Sequence, residues 1–295
     1  MNRSRLLRTA LFCSLVVSMV SATLPASAGH FTKLIVVGDS LSDTGNVFAA
    51  TAGAVPPSPR YYAGRFSNGP VWVEYLAAAL DLPFENYAYG GAKTDQGNLF
   101  DGLFGLDFPG IADEVALVTS APGPLDPDAL YVVWAGANDF RAALATGALP
   151  DIAAVIANIV HAVGELRLAG AQHVIVPNLP DLGLTPEGRA SGAGPLLTFV
   201  SDTFNTHLEA ALAVYAPDTV RIDIFQLMQR TVRDPQEYGF TDVTTACLTT
   251  AGVCAAPEAH LFWDHVHPTT AGHALLADKF AKAINQALVR QSRKK

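Results

Sequence analysis

Apolar residues alternate along this chain between two patterns, one typical of buried strands and the other of amphipathic helices. Four short stretches rich in apolar residues predict strands, at 34–37, 130–136, 173–177 and 219–225, and the continuous apolar runs of the first two indicate burial on both faces. Apolar residues three or four positions apart predict helices at 71–80, 150–170, 196–215 and 270–289. Because strands separated by helices need parallel crossovers, we expect a three-layer α/β/α sandwich with a mostly parallel sheet.

The N-terminal segment does not belong to this pattern. Residues 1–8 carry three arginines, residues 10–20 are apolar, and residues 26–28 (Ala-Ser-Ala) match a small-residue cleavage site. Together they predict a signal peptide over 1–28 that is removed from the mature protein. Its apolar stretch is too short to cross a bilayer, although a retained N-terminal anchor is the alternative. We therefore expect a secreted protein, extracellular or periplasmic.

The length and charge of the remainder limit its organisation and partners. Residues 29–295 would fit one large domain or two small ones, and no linker-like or repetitive stretch divides them, so a single domain is favoured. Loss of three arginines takes the formal net charge from −8 to about −11, which disfavours nucleic acid as a partner. No metal or organic cofactor is implied, since phosphate-loop, dinucleotide, zinc-protease and calcium-loop patterns are absent from the sequence. No stable protein partner is implied either.

Two cysteines remain after residue 28, Cys247 and Cys254, seven positions apart. In an exported protein this pair favours a disulfide that closes a small loop. Two free thiols or half of a metal site are the alternatives, but no Cys-x-x-Cys is present to complete a zinc set.

A candidate nucleophile, Ser40, stands at the end of the first predicted strand, where ligands bind in open α/β sheets. Gly38 would allow the tight turn that presents its hydroxyl, although an ordinary strand-to-helix turn has the same residues. A nucleophile also needs a base and a group that orients the base. Asp264 and His267, three apart before the last predicted helix, could pair through Nδ1 and leave Nε2 free for the serine proton. A purely structural turn is the alternative there.

Two glycine-containing turns are candidates for binding an oxyanion. The pair Gly90-Gly91 would let a backbone N–H approach a ligand closely. The turn at 136–139 follows a buried strand and would place the Asn138 amide at the carboxyl edge of the sheet. Either turn alone is a weak signal, because glycine pairs and Gly-x-Asn-Asp sequences are common in ordinary turns.

Taken in order, these blocks resemble the GDSL, or SGNH, family of serine hydrolases across most of the mature chain. The matching residues are Gly38-Asp39-Ser40-Leu41, Gly91, Gly136-x-Asn138-Asp139 and Asp264-x-x-His267. Residues 64–69 and 261–264 are further similar to the branch that contains bacterial secreted lipases, lysophospholipases and plant GDSL lipases. The resemblance implies a flavodoxin-like sheet.

The resemblance also implies roles for single residues. Ser40 would be the nucleophile, His267 the general base and acid, and Asp264 its orienting carboxylate. The N–H groups of Ser40 and Gly91 and the side chain of Asn138 would bind the oxyanion. Gly90 could exchange roles with Gly91 if the loop aligns differently.

The implied function is hydrolysis of carboxylic esters through a serine acyl-enzyme, as in a lipase, an esterase or a lysophospholipase. A polysaccharide acetylesterase and a lipid acyltransferase are alternatives, the former favouring a polar cleft with exposed aromatics such as Tyr61, Tyr62 and Tyr89. A non-catalytic binding module is disfavoured, because it does not need all three triad residues.

The segment 98–110 is apolar and rich in glycine, so it is either tucked into the core or exposed as a binding lip. As a lip it would favour lipid esters and transient contact with lipid surfaces. The residues that would then contact an acyl chain are Phe100, Leu103, Phe104 and Phe108.

Overall fold

The fold is built on a sheet of five parallel strands. The computed structural model describes residues 31–148, 150–216 and 219–292, so the predicted signal peptide lies outside the described residues. The strands follow the order β2-β1-β3-β4-β5 across the sheet. They are β1 (Leu34–Gly38), β2 (Phe84–Asn86), β3 (Leu130–Trp134), β4 (His173–Pro177) and β5 (Thr219–Ile222).

Helices cover both faces of the sheet. They are α1 (Asn46–Ala50), α2 (Trp72–Leu80), α3 (Ile111–Thr119), α4 (Ala137–Ala145), α5 (Ile152–Leu168), α6 (Pro186–Ala190), α7 (Gly194–Ala211), α8 (Ile224–Arg233) and α9 (Thr270–Ser292). Helices α3, α5 and α7 pack on one face, and α2, α8 and α9 pack on the other. The prediction of a three-layer α/β/α sandwich is therefore confirmed.

Alternate residues of each central strand enter two separate hydrophobic cores. In β3, Tyr131 and Val133 pack with α3, α5 and α7, whereas Leu130, Val132 and Trp134 pack with α2, α8 and α9. Both faces exclude water, which is why these strands read as unbroken apolar runs.

The fourth predicted strand is wrong in its second half. Strand β5 ends at Ile222, and the next residue, Asp223, caps α8 by accepting a 3.0 Å hydrogen bond from the N–H of Gln226. The apolar residues Ile224 and Phe225 continue the run, but they face the core from the first turn of the helix. A buried strand and a buried helix start cannot be separated by hydropathy alone over so few residues.

A small two-stranded sheet stands apart from the central one. Strands β6 (Asp242–Ala246) and β9 (His260–Phe262) pair in parallel, and β7 (Leu248–Thr249) and β8 (Gly252–Val253) form a hairpin between them. The backbone N–H of Leu248 donates to the carbonyl of Trp263, just after β9. This pairing holds the turn that follows β9, which carries Asp264 and His267. Within the described residues, no helix is long and apolar enough to cross a membrane.

Candidate active site

The candidate site lies where the strand order reverses. Strand β1 has β2 on one side and β3 on the other, so the loops that leave β1 and β3 diverge and open a crevice at their carboxyl ends. Ser40 follows β1 by two residues, and Asn138 lies in the first turn of α4, just after β3. Both side chains are buried.

A serine, a histidine and an aspartate are hydrogen-bonded in series at this crevice. Ser40 Oγ lies 2.8 Å from His267 Nε2, and His267 Nδ1 lies 2.8 Å from Asp264 Oδ2. The ring of Phe66 packs against the imidazole, with 5.2 Å between ring centroids. The imidazole is thereby held between its two partners, in the geometry that lets Nε2 accept a proton from the serine.

Asp264 is held as an anion by four hydrogen bonds. Its Oδ1 accepts from the backbone N–H groups of Val266 and His267, and its Oδ2 from the His267 ring and from the Tyr61 hydroxyl. Burial alone would raise the pKa of Asp264, but the charge and hydrogen bonds of His267 outweigh it and lower that pKa. The carboxylate therefore remains charged opposite the imidazole throughout the physiological range.

The turn before Ser40 is fixed by a buried carboxylate that the sequence motifs do not include. Glu114, on α3, accepts hydrogen bonds from the N–H of Gly38 at 2.8 Å and from the N–H of Tyr89 at 2.9 Å. Its full burial raises its pKa well above the usual range. Glu114 thus joins the nucleophile turn to the 86–91 loop. The only sequence signal was an acidic residue on the apolar face of a helix.

A second buried carboxylate, Asp43, joins the same two segments. It accepts from the N–H groups of Gly45 and Asn46 at the start of α1, and its Oδ2 accepts from the N–H of Gly90 at 2.9 Å. Asp39, beside the nucleophile, accepts from the N–H of Leu41, and burial raises the pKa of Asp39 to about 6.

The three N–H groups expected to bind an oxyanion differ in how they are engaged. Among the described residues, no protein acceptor takes the backbone N–H of Ser40 or of Gly91, whereas that of Gly90 is engaged by Asp43. The Asn138 amide donates a 3.0 Å bond to the Ala92 carbonyl, which fixes its plane and leaves its second N–H for a ligand. Of the two glycines, Gly91 is therefore the one whose backbone N–H is available to bind an oxyanion.

Gly91 also has a steric reason to be glycine. Its φ is +83°, and a Cβ at this position would overlap Oδ1 of Asn98. That amide in turn donates to the carbonyl of Gly90, so the loop is closed on itself around the glycine pair.

An apolar cavity opens beside Ser40. Its volume of about 80 Å³ is well above the ~15 Å³ that a single water needs. Its polar lining consists of Ser40, Asn138 and His267 together with Asp39, Arg141 and Thr185, and the other lining residues are mostly apolar side chains from α8, α9 and the turn after β9. The cavity thus combines the polar groups of the candidate site with a largely apolar lining.

The four residues proposed to contact an acyl chain lie elsewhere. Phe108 is buried, and Phe100 and Leu103 pack with it around Phe66 and Val47, while Phe104 is 65 % exposed. None of the four lines the cavity beside Ser40. Within the segment 98–110 only Asn98, Phe108 and Gly110 are buried, and Phe108 packs with Phe66, whose ring contacts His267.

The fold and the Ser–His–Asp geometry are those of a serine hydrolase. The chain belongs to the GDSL-like lipase/acylhydrolase family, whose model matches residues 34–280. The resemblance seen in the sequence is thus confirmed, and with it the class of enzyme, an ester hydrolase.

Several known proteins are similar to this chain in sequence or in fold. The phosphatidylcholine-sterol acyltransferase of Aeromonas hydrophila is 30 % identical and is matched over 91 % of this chain and 95 % of its own. Esterase EstA of Pseudomonas aeruginosa is 29 % identical over 91 % of this chain, which spans about half of that protein (49 %). The crystal structure of a putative GDSL-like lipase from Parabacteroides merdae, 15 % identical, has a TM-score of 0.50 over 86 % of this chain and 96 % of that one, a likeness of fold alone.

Proposed function

We propose that this protein is a secreted carboxylic-ester hydrolase in which Ser40 forms an acyl-enzyme. The observation that carries the proposal is the unbroken series of 2.8 Å contacts from Ser40 Oγ through His267 to Asp264. A serine, a histidine and a carboxylate linked in this order can carry out acyl transfer.

In the proposed mechanism, His267 Nε2 takes the Ser40 proton as the hydroxyl oxygen attacks the ester carbonyl. The carbonyl oxygen becomes an oxyanion, which the N–H groups of Ser40, Gly91 and Asn138 stabilise. His267 then gives its proton to the leaving alcohol, and the C–O bond breaks. Water, deprotonated by the same imidazole, attacks the acyl-enzyme, and His267 returns that proton to Ser40 Oγ as the acyl C–O bond breaks and the acid is released.

The apolar cavity supports an acyl group with a hydrocarbon chain as the substrate class. Its walls include Leu182, Leu227, Met228 and Leu275, and its charged lining groups, Asp39 and Arg141, belong to the neighbourhood of the nucleophile. Burying each methylene of a chain in such walls contributes about 0.8 kcal/mol. We infer that chain length, more than head group, sets the preference of the enzyme.

Met228→Trp should therefore lower kcat/KM for an octanoate ester about tenfold relative to an acetate ester, because the indole would occupy cavity space. The matched control is Phe104→Ala, which removes an exposed aromatic outside the cavity. A panel of p-nitrophenyl esters from two to twelve carbons measures both. Selective loss of long-chain activity in Phe104→Ala, with none in Met228→Trp, would move the acyl site to the 98–110 segment.

Acyl transfer to an alcohol is the second candidate function. It shares the acyl-enzyme with hydrolysis, and the 30 % identity with an acyltransferase over 95 % of that protein favours testing it. Added alcohol would divert product from acid to a new ester if transfer occurs. An acetylesterase acting on polysaccharides has less support, because Tyr61 and Tyr89 are half-buried and only Tyr62 of the three is well exposed.

Secretion and disulfide formation are proposed together and share one experiment. Cys247 and Cys254 are bonded in the structure, 4.8 Å apart between Cα atoms. Intact-mass spectrometry of the exported protein should give a chain that begins near Gly29 and has no alkylatable thiol. A chain that retains residues 1–28 would contradict cleavage. Two alkylatable thiols would contradict the disulfide and, with His260 nearby, point to a metal site instead.

A further inference from the structure

A tyrosine hydroxyl outside the family motifs contacts the acid of the candidate triad. Tyr61 donates a 2.8 Å hydrogen bond to Oδ2 of Asp264, which lies 203 positions later in the chain. His267 Nδ1 contacts that same oxygen, also at 2.8 Å. We propose that Tyr61 is a positioning residue of the triad: by sharing Oδ2, it limits the pull of Asp264 on the imidazole and so sets the pH at which His267 can act as a base. This inference rests on the proposed function of the triad.

The segment that carries Tyr61 is tied directly to the segment that carries His267. The Ser67 hydroxyl donates to the Pro268 carbonyl at 2.9 Å, and the N–H of Thr270 donates to Oδ1 of Asn68 at 2.8 Å. These bonds fix the 61–68 stretch beside the turn at 264–270. The N–H of Tyr62 in turn donates to the Ser67 carbonyl at 2.9 Å, so the position of Tyr61 beside the carboxylate does not depend on its own hydrogen bond alone.

The Tyr61 ring is fixed by packing as well. It meets Trp263 edge to face, with ring centroids 6.4 Å apart, and contacts Phe66 at a similar distance. Burial, together with the charge of Asp264, raises the pKa of Tyr61, so its hydroxyl remains a donor wherever the enzyme is active. The ring and the hydroxyl thus have separable roles, one in packing and one at the carboxylate.

The direction of the effect follows from the shared acceptor. Two donors on one carboxylate oxygen divide its negative charge density between them. If the hydroxyl is removed, Oδ2 binds the Nδ1 proton more strongly, and the charged imidazole is favoured over the neutral base. His267 would then lose its proton only at a higher pH.

Other titratable groups also act on His267, and removal of the Tyr61 hydroxyl leaves them in place. Asp39 faces it from the nucleophile turn, and Arg141 acts in turn on Asp39. His273 faces it from α9, where burial lowers the pKa of His273 to about 3 and keeps it neutral. Since none of these contacts the Tyr61 hydroxyl, a shift caused by its removal reports on Asp264.

Tyr61→Phe tests the proposal, because it keeps the ring and deletes only the hydroxyl. The acid-side midpoint of the kcat/KM–pH profile should rise by about half a unit or more. The plateau of kcat/KM should fall about tenfold, as expected for loss of a hydrogen bond to a charged group. Tyr62→Phe is the matched control: Tyr62 is exposed, has no hydrogen bond to the triad among the described residues, and should shift neither quantity.

A second readout does not depend on turnover. In the proton NMR spectrum, the low-field resonance of the His267 Nδ1 proton should move downfield in Tyr61→Phe, since that proton would gain a stronger acceptor. An unchanged midpoint with an unchanged resonance would overturn the proposal, and so would a fall in activity without either shift. If the wild type and Ser40→Ala cleave esters equally, the proposed function fails instead, and the resonance still decides the role of Tyr61.

Discussion

Ser40→Ala is expected to lower kcat/KM for every carboxylic ester by about 10⁴- to 10⁶-fold. The proposed acyl-enzyme cannot form without the hydroxyl that lies 2.8 Å from His267 Nε2. The residual rate would come from binding and from the oxyanion donors alone. Because Ser40 is buried and alanine only removes one oxygen, the fold should remain intact, as judged by the thermal unfolding midpoint and far-UV circular dichroism.

Ser42→Ala is the matched control for this loss. Ser42 lies two residues along the same turn, is fully buried, and accepts a 3.2 Å hydrogen bond from the Trp72 indole. Its removal should cost about 1 kcal/mol of stability and leave the ester chemistry in place. Equal activity in Ser40→Ala and wild type would contradict the proposed nucleophile. Equal loss in both variants would show that the turn, and not the Ser40 hydroxyl, is what matters.

Asn138→Ala should lower kcat by about 10²- to 10³-fold with little change in KM. Its amide is held by the Ala92 carbonyl so that one N–H is left for the oxyanion, which exists only during reaction. An interaction made only in the transition state appears in kcat, because the ground-state substrate gains nothing from it. Single-turnover measurement of the acylation rate separates this effect from product release.

Two further variants test whether the loss of kcat in Asn138→Ala is specific to this amide. Asn138→Asp places a carboxylate where the proposed oxyanion forms, so its kcat should fall at least as far as in the alanine variant. Asn158→Ala removes a different amide, which donates to the Thr94 hydroxyl at 3.1 Å, and should change kcat far less. Unchanged kcat in Asn138→Ala would remove this side chain from the oxyanion site.

The features that the sequence predicted are those with local signals. The strands β1, β3 and β4 follow from short apolar runs because both of their faces are buried. The approach of Asp264 to His267 follows from a spacing of three within one turn. Their meeting with Ser40 could be expected only from the order of the motif blocks, since 227 positions separate Ser40 from His267.

The supporting residues lacked such signals. Glu114 contacts Gly38 across 76 positions, and Tyr61 contacts Asp264 across 203. The residues adjacent to them in the sequence therefore give no indication of either contact. The choice between Gly90 and Gly91 depended on which N–H Asp43 accepts, a tertiary hydrogen bond. The position of the apolar cavity could not be predicted either, because its walls come from helices and turns far apart in the chain.

Locating the site of covalent labelling would show directly whether Ser40 is the nucleophile. The active protein would be treated with a fluorophosphonate probe, digested, and sequenced by tandem mass spectrometry. A single adduct is expected on Ser40, absent in Ser40→Ala and formed far more slowly when His267 is replaced by alanine. An adduct on another residue, or no adduct on a protein that cleaves esters, would contradict that expectation.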